Sequence, residues 1–426
     1  MTVLVFVASL LAAMALGMPL AFSLLVSGVA LMLHLDSFDT QIVSQNLING
    51  ADNFPLMAVP FFMLAGELMN AGGMSRRIVN SAMVWVGHFR GGLGYVAVFA
   101  AIIMASLSGS AVADTAALAA VLMPMMRKAG YRMDRSAGLI AAGGIIAPVI
   151  PPSIGFILFG VIGGVSISKL FLAGIFPGIL MGVALAATWW IVARNDQVQV
   201  AEKVPMGQRL KVTVNAFWSY LLAVTIIGGM KMGVFTPTEA AVVAVVYSLL
   251  VGMFVYREIR VRDLYGIILS AAKTSSVVMF LVAAALVSAW LITVANIPAQ
   301  IVQMMQPFMD NKMLLMAMIM LLVMIVGTAL DFAPTVLILT PVLMPLVRQA
   351  GIDPVYFGVL FIINNAIGLL TPPVGTVLNV VCGVGRIPMH EVIKGVWPFL
   401  LSQVVVMGLL IVFPQLVLAP LRWLLH

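Results

Sequence analysis

Two stretches of this chain match one another without a gap. VLMPMMRKAG at 121–130 and VLMPLVRQAG at 342–351 place Pro124 and Pro345 221 residues apart. At that same offset Pro151 and Pro152 meet Pro372 and Pro373, Gly164 meets Gly385, Gly174 meets Gly395, and Pro177 meets Pro398. A single register held this far is a duplication, not chance likeness between apolar segments. Whatever the chain folds into must be built from two copies of one unit.

Both copies lie in runs apolar enough to cross a bilayer. A crossing helix needs about 20 apolar residues, and 63% of these 426 residues are hydrophobic while 9% are charged. The expected fold is therefore an all-α polytopic membrane protein; a β-barrel would show short alternating segments instead. The formal charge of +7 reads as loop bias, with no nucleic-acid partner implied. The single cysteine, Cys382, excludes an internal disulfide and a thiolate zinc site. GGVSISK at 163–169 lacks the spacing of a phosphate-binding loop, so the chain is not expected to hydrolyse nucleotide, nor to be an enzyme, and no cofactor is implied. The opening MTVLVFVASLLAAMALG has no basic residue ahead of its apolar run and reads as an uncleaved first helix.

Lys and Arg set the orientation. The basic segments 194–211 and 256–263 belong on the cytoplasmic side. Counting outward from them, 168–193 descends, 214–229 returns, 238–255 descends and 268–294 exits, with an N-terminus outside. MSRRIVNSAMVWVGHFRG reads as an amphipathic helix on the cytoplasmic surface. On this count the polar turn RKAGYRMDR of the first copy is inside and RQAGIDP of the second is outside. The repeats are inverted, the plan of a secondary transporter with a midplane site.

Each copy begins with a polar interruption, SLSGSAVADTAAL at 106–118 and GTALDFAPTVL at 327–337. The flanks 96–105 and 116–126, and 314–326 and 335–347, are each about half a bilayer at 1.5 Å per residue. Each copy is thus expected to form a re-entrant helical hairpin with a Ser, Gly, Thr and Asp tip. The paired prolines then mark broken helices, since irregular backbone at membrane depth survives only where it lines a cavity or is buried in protein. They are expected to end one half-helix and occupy the first turn of the next.

Two pseudo-symmetric sites follow. One joins the tip Ser106 to Asp114 with the break Ala147 to Ser153; the other joins Gly327 to Thr335 with Asn364, Asn365 and Thr371 to Thr376. Carbonyl and hydroxyl oxygens suit a small hard cation, and half-helix N-termini suit a carboxylate. Sodium is favoured, with proton carriage by Asp114 or Asp331 as the alternative. The first sodium site is assigned Ser106, Ser108, Ser110, Asp114, Ala147 and Pro151, the second Thr328, Asp331, Asn365, Thr371 and Pro372. Substrate is assigned to Ser108, Ser153, Asp331, Thr335, Thr376 and Asn379. Glu67 and Glu239 read as solvated or capping residues near helix ends, and Lys273 as a snorkelling side chain.

GSAVADTAAL, APVIPPSIGFILFG, GTALDFAPT and NNAIGLLTPPVGTVLN resemble the large membrane subunit of tripartite ATP-independent periplasmic (TRAP) transporters over essentially the whole chain. The resemblance implies an elevator fold of the ion-transporter superfamily. Its scaffold would be 1–95 with the arm helix, plus 194–311; its two transport-domain repeats would be 96–193 and 312–426. It further implies sodium-driven uptake of a carboxylate organic acid, of the sialic acid or C4-dicarboxylate class, across the bacterial inner membrane. The partners implied are a small four-helix membrane subunit, expected as a separate chain, and a periplasmic substrate-binding protein, alongside membrane lipids. With no conspicuous intramembrane arginine, half-helix dipoles and bound sodium would balance the substrate carboxylate. The rival within transport is a stand-alone anion carrier. An intramembrane aspartyl protease is disfavoured because Asp114 and Asp331 sit in VADT and ALDF, outside the sequence contexts that such enzymes use.

Overall fold

The computed structural model describes residues 2–194, 202–372 and 374–425. All regular elements among them are helical. Among the described residues six helices are long and apolar enough to span a membrane, and the pair Met206–Asn215 and Phe217–Lys231, bent by 54°, makes a seventh when taken as one span.

Hairpin 1 consists of Gly92–Ser108 and Ala111–Lys128, and hairpin 2 of Lys312–Ala329 and Phe332–Gln349. Their arms are longer than half a bilayer, about 26 Å each, because helix continues through Ser106 and Asp114 up to the tip. Only two residues at each tip, Gly109 with Ser110 and Leu330 with Asp331, lie outside helix. Gly109 makes the first turn possible. It sits at φ 63° as the cap of one arm, a left-handed conformation that costs a side-chain-bearing residue roughly 1–2 kcal/mol. Ser110 then caps the other arm by accepting from the Ala113 amide.

Each hairpin is closed at its base by a polar contact. The Leu93 amide donates to the Tyr131 hydroxyl at 3.4 Å in the first, and Lys312 Nζ donates to the Gly351 carbonyl at 2.9 Å in the second. Trp189 Nε1 donates to the Gly91 carbonyl, placing the base of hairpin 1 at the C-terminal end of the spanning helix Ile167–Ala193. Three further spans, ending with Pro237–Val255 and Val261–Val294, separate that end from Lys312. An odd number of crossings puts the two hairpin bases on opposite faces, so the repeats are inverted.

Broken helix 1 is Met133–Gly144 followed by Ile154–Gly163; broken helix 2 is Pro354–Leu370 followed by Thr376–Gly385. The prolines do not occupy the first turn of either second half. Pro151 and Pro152, joined by a cis peptide bond, precede the N-cap Ser153. Pro372 precedes the N-cap Gly375, and Pro373 lies outside the described residues. The reason is local: Ser153 accepts from the Phe156 amide at 3.1 Å, satisfying one of the free N–H groups that a first-turn proline would have removed.

Two arginines at equivalent repeat positions tie the copies together. Arg127, at the foot of hairpin 1, donates to the Gly385 carbonyl at 2.8 Å, at the C-terminal end of broken helix 2. Arg348, at the foot of hairpin 2, donates to the Gly163 carbonyl at 2.7 Å, at the end of broken helix 1. A cation at a helix C-terminus both fills an orphan carbonyl and faces the negative end of the dipole.

Outside this duplicated core, the amphipathic helix Met74–Val86 is held at its N-terminal end by Glu258, which accepts from Arg76 Nη2 at 2.7 Å and Arg77 Nη1 at 2.6 Å. The Arg77 guanidinium also lies 3.7 Å from the centre of the Tyr256 ring. Near the helix's C-terminal end Trp85 Nε1 donates to Thr213 Oγ1 at 2.8 Å. The basic stretch 194–211 is thus not all loop: its end belongs to helix Met206–Asn215, while 195–201 lie outside the described residues.

Candidate functional site

The tip of hairpin 1 meets the break of helix 1 as the repeat predicts. A Cβ on Gly109 would stand 2.4 Å from the Pro152 carbonyl oxygen, so the tip backbone lies directly on the proline linker. Below it the start of the returning arm packs on the end of Met133–Gly144, where a Cβ on Gly144 would overlap Thr115 Oγ1 at 1.7 Å.

Within this junction the Ser108 hydroxyl donates to Asp114 Oδ1 at 2.5 Å and accepts from the Ser110 amide at 3.2 Å. Asp114 is 2% exposed. Its Oδ2, and the hydroxyl of neighbouring Thr115, have no hydrogen-bond partner among the described residues. Ser153 turns its hydroxyl onto the Pro148 carbonyl, and Ala147 and Pro151 are buried in the same linker. Ser106 instead donates to its own helix at Ile103, 2.6 Å away.

The second junction uses different side chains. Asn365 Nδ2 donates to the Phe332 carbonyl at 2.8 Å, across from broken helix 2 to the tip of hairpin 2, while its buried Oδ1 has no partner among the described residues. Asn364 donates to the Met320 carbonyl on the other arm. The arms fit because Gly327 and Gly368 touch: a Cβ on Gly368 would be 2.9 Å from the Gly327 carbonyl group. Asp331 is exposed and makes no cap bond with its own helix; its Oδ1 accepts from Thr376 Oγ1 at 3.3 Å, at the start of Thr376–Gly385. Thr335 donates back to the Asp331 carbonyl at 2.9 Å.

Three more assigned residues, like Ser106, serve their own segment. Thr328 donates to Ile325 and Thr371 to Ile367, and exposed Asn379 donates to the Val374 carbonyl.

The two junctions are therefore alike in backbone and unlike in chemistry. At the repeat offset Ser110 aligns with Asp331, Asp114 with Thr335, and Gly144 with Asn365. In the first copy serine and aspartate on the hairpin face a glycine of the broken helix; in the second the hairpin carries Asp331 and Thr335 and the broken helix adds Asn364 and Asn365. Sequence reasoning missed Thr115, whose signal was its place directly after Asp114, and Phe332, whose ring would meet a Cβ on Gly155 of the other copy at 2.6 Å.

Glu67 is half-buried with access to solvent. It lines a small cavity of about 80 Å³ together with Phe62, Asn70, Ser108, Ser110 and Thr274, and accepts from Ser270 Oγ at 3.2 Å. That cavity separates the hairpin 1 tip from helices Ala58–Ala71 and Val261–Val294. Glu239 does cap: it forms a reciprocal capping box with Thr236.

Inverted hairpins whose tips meet inverted helix breaks define a membrane transporter with duplicated architecture. Residues 7–416 match the family described as tripartite ATP-independent periplasmic transporter, DctM component, and the chain belongs to that family. It is 56% identical, over 99% of its length and all of the relative's, to the 2,3-diketo-L-gulonate TRAP transporter large permease protein YiaN of Escherichia coli. It is 39% identical to the sialic acid TRAP transporter large permease protein SiaM of Vibrio cholerae, covering 94% of each. With the C4-dicarboxylate TRAP transporter large permease protein DctM of Pseudomonas aeruginosa the identity is 34%, again covering 94% of each. In fold it resembles the YdaH transporter of Alcanivorax borkumensis, with a TM-score of 0.64 over 90% of both chains at 15% identity.

Proposed function

We propose that this chain is the large permease of a sodium-driven uptake system for a carboxylate-bearing organic acid, acting in the bacterial inner membrane. It would work with a small membrane subunit and a periplasmic substrate-binding protein. The observation that carries the sodium reading is the pair of buried oxygens without a donor, Asp114 Oδ2 in one junction and Asn365 Oδ1 in the other. A buried acceptor left unpaired costs about 1–3 kcal/mol, and a small cation beside it removes that cost. The first junction also brings the Pro152 carbonyl to the tip that carries the Ser108 hydroxyl, and the second sets the Thr376 hydroxyl against Asp331, oxygens of the kind that a hard cation takes.

The substrate carboxylate fits the starts of the second half-helices, Ile154–Gly163 and Thr376–Gly385, whose free N–H groups favour an anion. Ser153, Thr376 and the tip residue Ser108 are the groups positioned to choose among acids. The 56% identity to a permease named for 2,3-diketo-L-gulonate favours a sugar acid over a C4-dicarboxylate. Each sodium crossing 100 mV supplies about 2.3 kcal/mol, so two ions per monoanion would drive steep accumulation.

The moving unit is residues 96–193 with 312–426, sliding as an elevator against 1–95 and 194–311. The cavity between Glu67 and Ser108 lies on that seam. The test is uptake of labelled 2,3-diketo-L-gulonate, sialic acid and succinate into liposomes holding this chain and its small subunit, with and without the binding protein and an inward sodium gradient. Uptake requiring both, and lost in Asp331→Ala, supports the reading. Uptake driven by a pH gradient alone would make the carboxylates proton carriers. Sodium-driven uptake without the binding protein would place the chain among stand-alone carriers.

A further inference from the structure

A cavity of about 600 Å³ opens on the molecule's side, where the amphipathic helix Met74–Val86 turns into hairpin 1 beside the end of helix Ile167–Ala193. Its walls are Val86, Phe89, Tyr95 and Trp190, and two arginines, Arg90 and Arg194, stand among them. Phe89 is 52% and Trp190 60% exposed, so a wet, soluble surface is a poor description of this face. Neither guanidinium has an ion-pair or hydrogen-bond partner among the described residues. Arg135, which donates to the Val192 carbonyl at 2.8 Å, and Arg209, whose guanidinium lies 5.8 Å from the centre of the Trp85 ring, crowd the same end. An excess of basic residues marks the cytoplasmic face.

We infer that this cavity is a binding site for an anionic phospholipid of the inner leaflet. Arg90 and Arg194 hold the phosphate diester, for which the planar guanidinium fork is suited. Trp190 and Tyr95 stand at headgroup level, where amphipathic rings collect. Val86 and Phe89 line the acyl chain. Basic pockets between helices on the cytoplasmic side are where such headgroups bind. The charge pattern selects the occupant: an apolar slot alone would take any lipid, whereas two cations at its mouth, unpaired among the described residues, favour one with net negative charge. This inference does not rest on the transport reading, because it concerns a face remote from both hairpin tips.

The experiment uses the full chain, delipidated in detergent. Phosphatidylglycerol is titrated while bound lipid is counted by native mass spectrometry and the unfolding midpoint is followed. Phosphatidylcholine, glycerol 1-phosphate and inorganic phosphate are the comparison ligands. Phosphatidylglycerol is expected to bind, to raise the midpoint, and to weaken with salt. Arg90→Gln with Arg194→Gln should reduce its affinity about thirtyfold, roughly fivefold per arginine, and Lys128→Gln on the same face should leave it unchanged. Should the double variant fail to fold, the single variants Arg90→Gln and Arg194→Gln, each expected to lose about fivefold, and the salt dependence of the wild type give the same reading. Equal binding of phosphatidylcholine would leave only an apolar slot and overturn the inference. So would equal protection by the soluble phosphates, an equal loss in Lys128→Gln, or displacement of the lipid by the small membrane subunit.

Discussion

Replacing Asp114 by Asn should remove the dependence of stability on sodium and so reverse the order of the two proteins between sodium-free and sodium-rich buffer. In the wild type Asp114 Oδ1 accepts from Ser108 at 2.5 Å, but Oδ2 is buried without a donor. Without a cation, that oxygen costs about 1–3 kcal/mol, and more when the group is charged. Asn keeps the shape and the Ser108 contact while removing the charge. In sodium-free buffer Asp114→Asn should therefore unfold at or above the wild-type midpoint, by about 1 kcal/mol in stability. Sodium at a hundred times its dissociation constant should then raise the wild type by about 2.7 kcal/mol and leave the variant almost unmoved, so the order reverses. Unfolding midpoints in choline chloride and in sodium chloride at matched ionic strength measure this. An equal loss of stability in both salts would refute the reasoning, since it would reduce Asp114 to a residue that merely supports the start of its helix.

Gly109→Ala should lower the unfolding midpoint sharply and abolish uptake, because roughly 1–2 kcal/mol of left-handed strain adds to a 2.4 Å approach to the Pro152 carbonyl. Gly130→Ala, at φ 80° with nothing within 4 Å, should show the strain alone and remain active. Arg127→Gln and Arg348→Gln should each cost about 1–2 kcal/mol of stability, and by similar amounts, because each removes the same kind of charged helix cap; chemical unfolding reads both. Glu258→Gln should loosen the helix Met74–Val86, seen as faster amide exchange there with the hairpins unaffected, because it weakens both arginine contacts.

Much of this architecture was legible because a duplication reports on itself. Pro124 with Pro345 gave the register, and the polar runs around Ser108 and Asp331 gave the hairpins. What the register could not convey was which copy carries which chemistry. Asp114 and Asp331 look alike in the sequence, yet one is 2% exposed and the other is exposed, because one lies a turn inside its helix and the other is the cap. The prolines suggested helix starts, and their true place, one to three residues earlier, follows from Ser153 and Gly375 taking the cap positions. Arg127 and Arg348 read only as members of the polar turns RKAGYRMDR and RQAGIDP. Their second role depends on contacts across 258 and 185 residues of sequence, which no local pattern contains. The contact of Glu67 with Ser270 was hidden for a related reason: the two are 203 residues apart.

The crossed arginine caps also constrain how the molecule is made. The end of broken helix 1 is satisfied by Arg348, and the foot of hairpin 1 by the Gly385 carbonyl. The first repeat leaves the ribosome long before either partner exists. Until about residue 385 has been inserted, that half must wait in the membrane with a bare helix end and an unmatched charge. The duplicated core is thus a single folding unit, completed only when the second copy arrives from the opposite face. A chain truncated after the first repeat should be cleared as unassembled protein, not persist as a working half.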